Sequence, residues 1–303
     1  MNHSQMFFIL NDQAWFDGML LQKSVPSVHV INTRFQNGEL AVHFSENVIG
    51  KEVFLLRRFS FHIHEEIFEL LQCVDTLNRM GAQNITLLLP HYPYARQDHS
   101  DVNESKGALL IAKMLANLGV REIVTIDMHA SEQLRDFPLN IVNLTMERFW
   151  ANYLRSLGHN SNEIQIVAAD KSAVPRAQQI ASSLNCSWGY VNKQRNADGK
   201  VQITEISGLS PEKQTFLVDD LIDTGRTLIA ATQALRKLNP QPITACVTHC
   251  HLTTPLLTRL IDNGISQLVT TDTLKEPLPV QAPKRNVNLL KILPMLLEYV
   301  HGR

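Results

Sequence analysis

Three acids and two threonines crowd the end of an apolar run in FLVDDLIDTGRT, residues 216–227. The apolar start predicts a buried strand, and the turn DTGRT leads directly into a helical pattern. At such a turn, backbone N–H groups and the positive end of the helix dipole converge on an anion. Asp219 and Asp220 would repel a phosphate, but carboxylates accept hydrogen bonds from vicinal sugar hydroxyls. The segment therefore predicts a phosphorylated-sugar site, with a plain helix cap at Asp223 or Thr224 as the alternative.

The familiar nucleotide-binding fingerprints are missing. Neither the GxGxxG pattern of dinucleotide-binding folds nor the GxxxxGK[ST] pattern of P-loops occurs in the chain. If a nucleotide binds, another arrangement of residues must hold it.

The elements that would position these residues alternate between short apolar runs and helical patterns, as in parallel sheets covered by helices. The predicted strands are VFLLRRF, NITLLLPHY, EIVTIDMHA, EIQIVAAD, TFLVDDL, ITACVTHCHLT and SQLVTTD. One predicted helix has the apolar stripe Ile67, Leu70, Leu71 and Val74. Gly81 supplies its stop. In open sheets of this kind, ligands bind beyond the carboxyl ends of the strands, where many of the polar clusters fall.

The chain divides into two strand and helix series. The first runs to about His129 and the second starts near Ile164. We therefore expect an N-terminal domain of residues 1–145 and a C-terminal domain of residues 146–285. The apolar stretch NLLKILPMLLEYV suggests that residues 286–303 pack back on the first domain.

Composition indicates an ordinary globular protein of 303 residues, 44% of them hydrophobic. With 28 basic and 29 acidic residues, the net charge of −1 favours neither a nucleic acid nor an anionic membrane as partner. The four cysteines are too sparse for a disulfide scaffold. The first residues, MNHSQMFFILND, have no cationic segment and only a short apolar run. We expect a cytoplasmic protein with no membrane or nucleic-acid partner.

Four segments together resemble the ribose-phosphate pyrophosphokinase family, also called phosphoribosyl pyrophosphate synthetases. VDDLIDTG is similar to the phosphoribosyl pyrophosphate motif, PHYPYARQD to the family's signature, TIDMHA to its metal-histidine segment and RFQNGE to its adenine-contact segment. Phosphoribosyltransferases share only the first of these. The resemblance implies an α/β fold with two similar open, mostly parallel sheet domains of the phosphoribosyltransferase-like type. It also implies an active site between the domains.

The resemblance implies a role for each matching residue of the sugar-phosphate site. Asp219 and Asp220 would hold the ribose hydroxyls. The residues around the 5-phosphate would be Asp223, Thr224, Gly225 and Thr227.

The resemblance also implies an ATP site. Arg96 and Gln97 would contact ATP. Phe35, Asn37 and Glu39 would reach the adenine bound at a neighbouring subunit's site. A homo-oligomer would then be part of the function.

Two residues at strand ends, His129 and Asp170, are candidates for a metal site. Taken alone, His129 in TIDMHA is more typical of a hydrogen-bonded structural histidine. The resemblance reverses this ranking and implies that both residues are associated with Mg²⁺, the expected cofactor. Because Mg²⁺ prefers oxygen ligands and keeps water, His129 would act partly through a water.

The segment GYVNKQRNADGKVQI lies between two β-like runs. On periodicity alone it predicts a solvated hairpin with its turn at residues 196–199. The family carries an essential Lys and Arg on a mobile loop here, and Lys193 and Arg195 match them in spacing. Two cations that close over the transferred phosphoryl oxygens would stabilise the transition state.

Two clusters of potential metal ligands are interpreted as structural. FHIHEE holds His62 and His64 without a distant third ligand. ACVTHCHL holds Cys246 and Cys250, but it lacks the CxxC spacing of a structural zinc site. It matches a buried strand of the family, where cysteine behaves as a small hydrophobe.

The chain departs from the family pattern at three places that bear on the site. Asn37 replaces the usual Asp, which removes a charge near the adenine but keeps an acceptor. Residues 171–173, Lys-Ser-Ala, follow Asp170 where the family has a glycine pair. Arg226 replaces the second Gly of the phosphate loop, and it either pairs with the 5-phosphate or extends outward to accommodate a larger 5-substituent.

The expected reaction is transfer of the β,γ-diphosphoryl group of ATP to the anomeric hydroxyl of ribose 5-phosphate. Its products are phosphoribosyl pyrophosphate and AMP. One alternative is a pyrophosphokinase for a larger 5-substituted ribose such as ADP-ribose, which Arg226 motivates. The other is a non-catalytic regulatory subunit of a synthetase complex, against which the presence of Lys193, Arg195, His129 and Asp170 argues.

Overall fold

The chain folds into two compact units. A computed structural model describes residues 6–10, 27–97, 103–129, 131–195, 201–275 and 286–302. One unit comprises Met1–Leu144 with Ile292–Arg303, and the other comprises Thr145–Lys291. Within the described residues, each unit is built around one seven-stranded sheet.

The first sheet is assembled mainly from short apolar strands. These are β1 (Met6–Leu10), β2 (Ser27–Arg34), β3 (Leu40–Phe44), β4 (Glu52–Leu56), β5 (Asn84–Leu88), β6 (Val120–Ile126) and β7 (Asn140–Leu144). In the central strands β4, β5 and β6, nearly every residue is buried, as expected for parallel strands covered on both faces.

Helix α1 (Ile63–Arg79) packs against the first sheet through an apolar stripe. Its buried apolar residues recur at helical spacing: Ile67, Leu70, Cys73, Val74 and Leu77. Leu71, also predicted for the stripe, is only partly buried at its edge. The helix ends before Gly81, whose positive φ of 82° suits glycine, as predicted. Helix α2 (Gly107–Asn117) adds Ile111 and Leu115 to the same core.

The second sheet contains the sugar-phosphate motif. Its strands are β8 (Ile164–Ala168), β9 (Ser187–Arg195), β10 (Val201–Ser207), β11 (Gln214–Ile222), β12 (Ile243–Cys250), β13 (Ile265–Thr271) and β14 (Val287–Leu290). The helices of this unit are α3 (Glu147–Ser156), α4 (Val174–Leu184), α5 (Arg226–Arg236) and α6 (Thr254–Asp262). Helix α7 (Leu293–His301) follows and groups with the first unit.

The two sheets have the same topology. Their strand orders are β3-β2-β1-β4-β5-β6-β7 and β10-β9-β8-β11-β12-β13-β14. Neighbouring strands are parallel except in the pairs β2/β3 and β9/β10. The strand order reverses at β1/β4 in one sheet and at β8/β11 in the other, and open α/β sheets bind ligands at such switch points. Two similar, open, mostly parallel sheets are thus confirmed.

Several strands form where the sequence pattern had not predicted them. They are β1 to β3, β7 and β14, whose apolar runs are brief and whose place in the sheet depends on neighbours that the local pattern does not identify. Val287–Leu290 pairs with β13, and the C-terminal residues that group with the first unit are Ile292–Arg303. No helix in the described ranges has the length and apolar character that crossing a bilayer requires.

Candidate active site

The candidate site of the second unit lies at the switch point between β8 and β11. Strand β8 ends at Ala168, two residues before Asp170. Strand β11 carries Asp219 and Asp220 and leads into the turn before α5. Because these parallel neighbours end at the same edge of the sheet, residues distant in sequence meet there.

Asp219 and Asp220 lie inside the strand and not beyond it. Strand β11 continues to Ile222, since its last residues pair with β12, and this leaves the two acids only 6% and 9% exposed. The Asp220 N–H donates to Asp219 Oδ1 at 3.0 Å. Burial raises the pKa of Asp219 well above its usual value, and the neighbouring carboxyls of Asp220 and Asp170 raise it further. Hydroxyl donors from a ligand would suit this crowded set of acceptors.

The turn after β11 presents a helix N-terminus. Gly225 is the N-cap residue of α5, in a left-handed conformation with φ of 71°. A Cβ at this glycine would lie 2.7 Å from Leu256 Cδ1, so a larger residue does not fit without movement. The N-cap is neither Asp223 nor Thr224, and the plain helix cap considered from the sequence is therefore wrong. Both of those residues are exposed, as is Arg226, the first residue of the helix.

The carboxylate of Asp170 has two different environments. Oδ1 accepts hydrogen bonds from the backbone N–H groups of Ser172, at 3.0 Å, and Ala173, at 3.2 Å, and from the Ser172 hydroxyl. Oδ2 lies 2.7 Å from Lys193 Nζ. Burial by itself raises the pKa of Asp170, but the hydrogen bonds from Lys193 and Ser172 outweigh it and hold that pKa below its usual value.

Lys193 joins the two halves of the site. It lies on β9 opposite Ile203 of β10, and its Nζ also donates to Thr227 Oγ1 at 2.7 Å. The predicted antiparallel hairpin is therefore present, although its turn at residues 196–199 lies outside the described residues. Arg195 is the last residue of β9.

In the first unit, Arg96 and Gln97 lie on the turn after β5. Arg96 is exposed, and the Gln97 Oε1 accepts a hydrogen bond from Gly107 N at 2.7 Å, at the start of α2. Tyr94 has a φ of 61°, which is uncommon for a side chain of this size. A Cβ at Gly107 would lie 2.6 Å from Gln97 Oε1 and 2.7 Å from Tyr94 Cδ1. Glycine at this position lets the turn pack against α2.

The predicted adenine-contact residues Phe35, Asn37 and Glu39 lie between β2 and β3. The Phe35 side chain is 52% exposed. The turn is held by a hydrogen bond from Phe35 N to Glu39 O at 2.8 Å and by one from Glu39 N to Asn37 Oδ1 at 3.1 Å. An exposed aromatic ring on an ordered turn is suited to contact a partner.

The two residues expected to bind metal belong to different units, His129 to the first and Asp170 to the second. His129 is partly buried beyond β6, where Met128 N donates to Asn143 Oδ1 at 2.9 Å. Within the described parts of the chain, no three His, Cys, Asp or Glu side chains form a group that would hold a metal by itself.

The two clusters interpreted as structural make ordinary contacts. His64 Nδ1 lies 2.7 Å from the Tyr94 hydroxyl, and His249 Nδ1 lies 2.9 Å from Thr273 Oγ1. Cys246 and Cys250 are buried, and burial raises the pKa of the Cys250 thiol to about 12. Reactive or metal-binding cysteines have lowered pKa values instead.

Two residues of the site were given no role from the sequence. Ser172 donates twice to Asp170, and the charge of Arg176 lowers the pKa of Asp219 and so partly offsets its burial. Both lie within one or two turns of Asp170: Ser172 belongs to the segment that leads into α4, and Arg176 belongs to the first turn of α4. That position after a strand end was the available signal.

The fold and this geometry define the class of the protein. Paired acids and a helix N-terminus at the switch point of a doubly wound sheet suit a sugar phosphate, and residues 141–272 match the family model of the phosphoribosyl transferase domain. The second unit is thus a domain of the phosphoribosyltransferase type. Residues 18–119 match the model of the N-terminal domain of ribose phosphate pyrophosphokinase. The chain belongs to the ribose-phosphate pyrophosphokinase family.

Relatives match over most of their length. The ribose-phosphate pyrophosphokinase of Campylobacter jejuni is 32% identical over 268 residues, 88% of this chain and 85% of the relative. That of Agrobacterium fabrum is 30% identical over 279 residues, 92% of this chain and 89% of the relative. The crystal structure of phosphoribosylpyrophosphate synthetase from Mycobacterium smegmatis superposes with a TM-score of 0.86 at 27% identity, covering 98% of this chain and 97% of that one.

Proposed function

We propose that this enzyme transfers the β,γ-diphosphoryl group of ATP to the anomeric hydroxyl of ribose 5-phosphate. The position of Lys193 carries the proposal. Its ammonium contacts both Asp170 Oδ2 and Thr227 Oγ1, each at 2.7 Å. A cation that suits a transferred phosphoryl group therefore lies between the residues assigned to the metal and to the sugar phosphate.

Ribose 5-phosphate is the acceptor that the second unit supports. Asp219 and Asp220 offer buried carboxylate acceptors to the ribose hydroxyls. The N-terminus of α5 offers the 5-phosphate backbone N–H groups that have no carbonyl partner within the helix, and Thr227 adds a hydroxyl. The ribose hydroxyls would thus contact the acids of β11, and the 5-phosphate would contact the turn and helix N-terminus that follow.

Magnesium fits the donor set at Asp170. Asp170 Oδ2 forms an ion pair with the Lys193 ammonium and thus faces a cation. Carboxylate oxygen is also the type of ligand that Mg²⁺ prefers. A site with few protein ligands is also typical of Mg²⁺, which keeps waters and binds substrate phosphates. When bound with ATP, the ion would neutralise charge on the phosphoryl oxygens. In the second unit, Asp170 would hold it.

The transfer needs positioning and charge stabilisation, and no covalent intermediate. The anomeric oxygen attacks the β-phosphorus and loses its proton, and the bond from that phosphorus to the α,β-bridging oxygen breaks to release AMP. Lys193 and Arg195 would stabilise the negative charge that develops on the transferred group. The hairpin of β9 and β10 would bring both side chains to the phosphates.

ATP recognition supports a homo-oligomer. Arg96 and Gln97 would contact the nucleotide within one subunit. The exposed turn that carries Phe35, Asn37 and Glu39 would reach the adenine at a neighbouring subunit's site, since an exposed phenylalanine gains stabilisation by stacking on a base. Asn37 would accept a hydrogen bond from the adenine amino group.

We also propose a cytoplasmic location. All four cysteines are free thiols, and three of them are buried. Free buried thiols are compatible with a reducing compartment.

The comparisons support neither alternative considered from the sequence. The relatives and the matched crystal structure carry the names of ribose-phosphate pyrophosphokinases and a phosphoribosylpyrophosphate synthetase. Arg226 is exposed at the start of α5, where its guanidinium can reach a bound 5-phosphate. We assign it to that phosphate.

A substrate panel tests the proposal. The purified protein is incubated with ATP, Mg²⁺ and either ribose 5-phosphate or ADP-ribose, and AMP and the diphosphorylated product are quantified. We expect AMP and phosphoribosyl pyrophosphate in equal amounts with ribose 5-phosphate. Lys193→Ala, purified in the same way, controls for a contaminating enzyme. A higher kcat/KM for ADP-ribose, or no AMP from either acceptor, would contradict the proposal.

A further inference from the structure

The two oxygens of the Asp170 carboxylate are used differently. Oδ1 accepts three hydrogen bonds from the turn that follows it, two from Ser172 and one from Ala173. An ionised carboxylate has about two lone-pair sites on each oxygen, so Oδ1 is fully engaged. Only Oδ2, which lies 2.7 Å from Lys193 Nζ, is directed at a cation.

The hydroxyl of Ser172 is the one contribution that depends on residue type. Asp170 is extended, with φ of −158° and ψ of −176°, and caps the short turn Lys171–Ala173 through its Oδ1. The backbone N–H groups of residues 172 and 173 would be present with any non-proline side chain, glycine included. A glycine would supply no hydroxyl and would make the turn less rigid.

This turn also uses backbone donors that would otherwise be available to a phosphate. Because the N–H groups of Ser172 and Ala173 point at Asp170 Oδ1, they bind the carboxylate and not the substrate. The segment that differs from the family's glycine pair is therefore committed to holding Asp170. Its function would be to orient a metal ligand.

We propose that Ser172 is a positioning residue that fixes the Asp170 carboxylate with Oδ2 turned toward the bound Mg²⁺. Its hydroxyl and its N–H hold Oδ1, which prevents the carboxylate from rotating and from binding the ion through the wrong oxygen. The proposal rests on the proposed function, in which Asp170 is a magnesium ligand. Residues that orient metal ligands in this way typically change metal affinity by about 10- to 100-fold when removed.

Mn²⁺ binding tests the proposal without relying on turnover. Mn²⁺ alone is titrated into the full-length protein, and the free ion is followed by its electron paramagnetic resonance signal. We expect about tenfold weaker binding for Ser172→Ala and for Ser172→Gly. Ser172→Thr, which keeps the hydroxyl, should bind within about twofold of the unchanged protein. Ser182→Ala on the exposed face of α4 is the matched control.

Kinetics provide a second readout. In Ser172→Ala, the Mg²⁺ concentration for half-maximal activity should rise about tenfold, while the KM for ribose 5-phosphate at saturating Mg²⁺ stays unchanged. A merely structural role would lower activity without separating these two quantities, and Ser172→Thr would not restore it. Should Ser172→Ala not fold, Ser172→Gly supplies the same measurement.

Asp170→Asn separates the possible failures. If Asp170→Asn weakens Mn²⁺ binding and neither Ser172→Ala nor Ser172→Gly does, the role of Ser172 is overturned and the metal assignment stands. If Asp170→Asn binds Mn²⁺ as tightly as the unchanged protein, or if the unchanged protein binds none, the metal role of Asp170 itself fails. Weaker binding by Asp170→Asn, Ser172→Ala and Ser172→Gly, together with rescue by Ser172→Thr, supports the proposal.

Discussion

Lys193 Nζ lies 2.7 Å from Asp170 Oδ2, and both side chains are about one-fifth exposed, at 19% and 18%. The pair joins strand β9 to the turn after β8 and places a positive charge against the carboxylate of Asp170. At this degree of burial, solvent screens the attraction less than at an open surface. The ammonium thus holds the site together before substrate enters and becomes a contact for the phosphates afterwards.

Replacing Lys193 with alanine should affect the chemical step more than binding. We expect kcat to fall by at least about 100-fold, the cost of losing one donor to a developing charge, while ATP affinity changes little. Steady-state kinetics and calorimetric ATP binding measure the two effects. Lys237→Ala, at the exposed end of α5, is the control. An unchanged kcat would exclude Lys193 from catalysis.

Asp219 should make stability depend on pH. Its folded pKa lies well above the ordinary 3.8, so folding favours its protonated form. That stabilisation is complete below the unfolded pKa and is lost as pH rises through the folded pKa. Asparagine at position 219 is neutral at every pH, and its side-chain oxygen can still accept the hydrogen bond from Asp220 N. The advantage of Asp219→Asn in unfolding free energy should therefore increase with pH above about 4, by about 1.4 kcal/mol per pKa unit.

Thermal unfolding from pH 4 to pH 8 measures this effect, with a Tm gain of about 2–4 °C per kcal/mol. The substitution should at the same time raise the KM for ribose 5-phosphate, because a carboxylate acceptor is lost. A stability difference that stays constant across this range would show that ionisation of Asp219 costs nothing in the folded protein.

Gly107→Ala should disturb the ATP-contact turn. The new Cβ would lie 2.6 Å from Gln97 Oε1 and 2.7 Å from a ring carbon of Tyr94, so the turn has to move. We expect a loss of about 1–3 kcal/mol in stability and a higher KM for ATP, with little change in the KM for ribose 5-phosphate. Denaturant unfolding and initial rates measure both. Gln97→Ala is the comparison, since it removes the side chain without adding bulk. A KM for ATP in Gly107→Ala equal to that of the unchanged protein would contradict this account.

Mixing two inactive variants tests whether the adenine site is shared. One variant carries Phe35→Ala with Asn37→Ala, and the other carries Lys193→Ala. If the turn reaches the neighbouring subunit, a site needs its own Lys193 and the neighbour's β2–β3 turn. In a random two-subunit assembly of the two variants, about one quarter of the sites then have both intact. We therefore expect co-expression to restore about a quarter of the activity. If the turn serves its own subunit, the mixture stays inactive.

Arg226→Gly tests the assignment of this residue to the 5-phosphate. A hydrogen bond between charged groups contributes about 1.5–3 kcal/mol, so we expect the KM for ribose 5-phosphate to rise at least about tenfold. The KM of Arg226→Lys should lie between those of the unchanged protein and Arg226→Gly, because lysine keeps the charge and loses the paired donors. Ribose lacks the phosphate and is expected to be a poor acceptor. With ribose, the unchanged protein and the variants at residue 226 should have the same rate. An unchanged KM for ribose 5-phosphate would place the guanidinium away from the phosphate.

The sequence predicted the elements of the second unit better than their geometry. The apolar run followed by DTGRT predicted a strand, a turn and a helix, and all three form because each depends on local residue types. The predicted strand TFLVDDL contains both acids and ends one residue before β11 does, but the pattern did not show that Asp219 and Asp220 are buried, since that depends on pairing with β12. It also suggested a helix cap at Asp223 or Thr224, whereas the chain turns at Gly225.

The order of the strands lay beyond sequence reasoning. Strands β1, β7 and β14 are short, and their stability comes from neighbours that the local pattern does not identify. Ser172 was noted as a departure from a glycine pair, but its contact with Asp170 depends on the conformation of one turn. Local propensity does not specify a side-chain contact of that kind.

By itself, the sequence determined which functional groups the protein possesses and their spacing along each strand end. Apolar runs long enough for buried strands, with acids, hydroxyls and glycine after them, are sufficient for that conclusion. Only the tertiary structure decided that Lys193 meets both Asp170 and Thr227, and which oxygen of Asp170 it meets. The reason is physical: β8, β9 and β11 become neighbours only when the sheet forms, and burial at its switch point then determines how these charges pair.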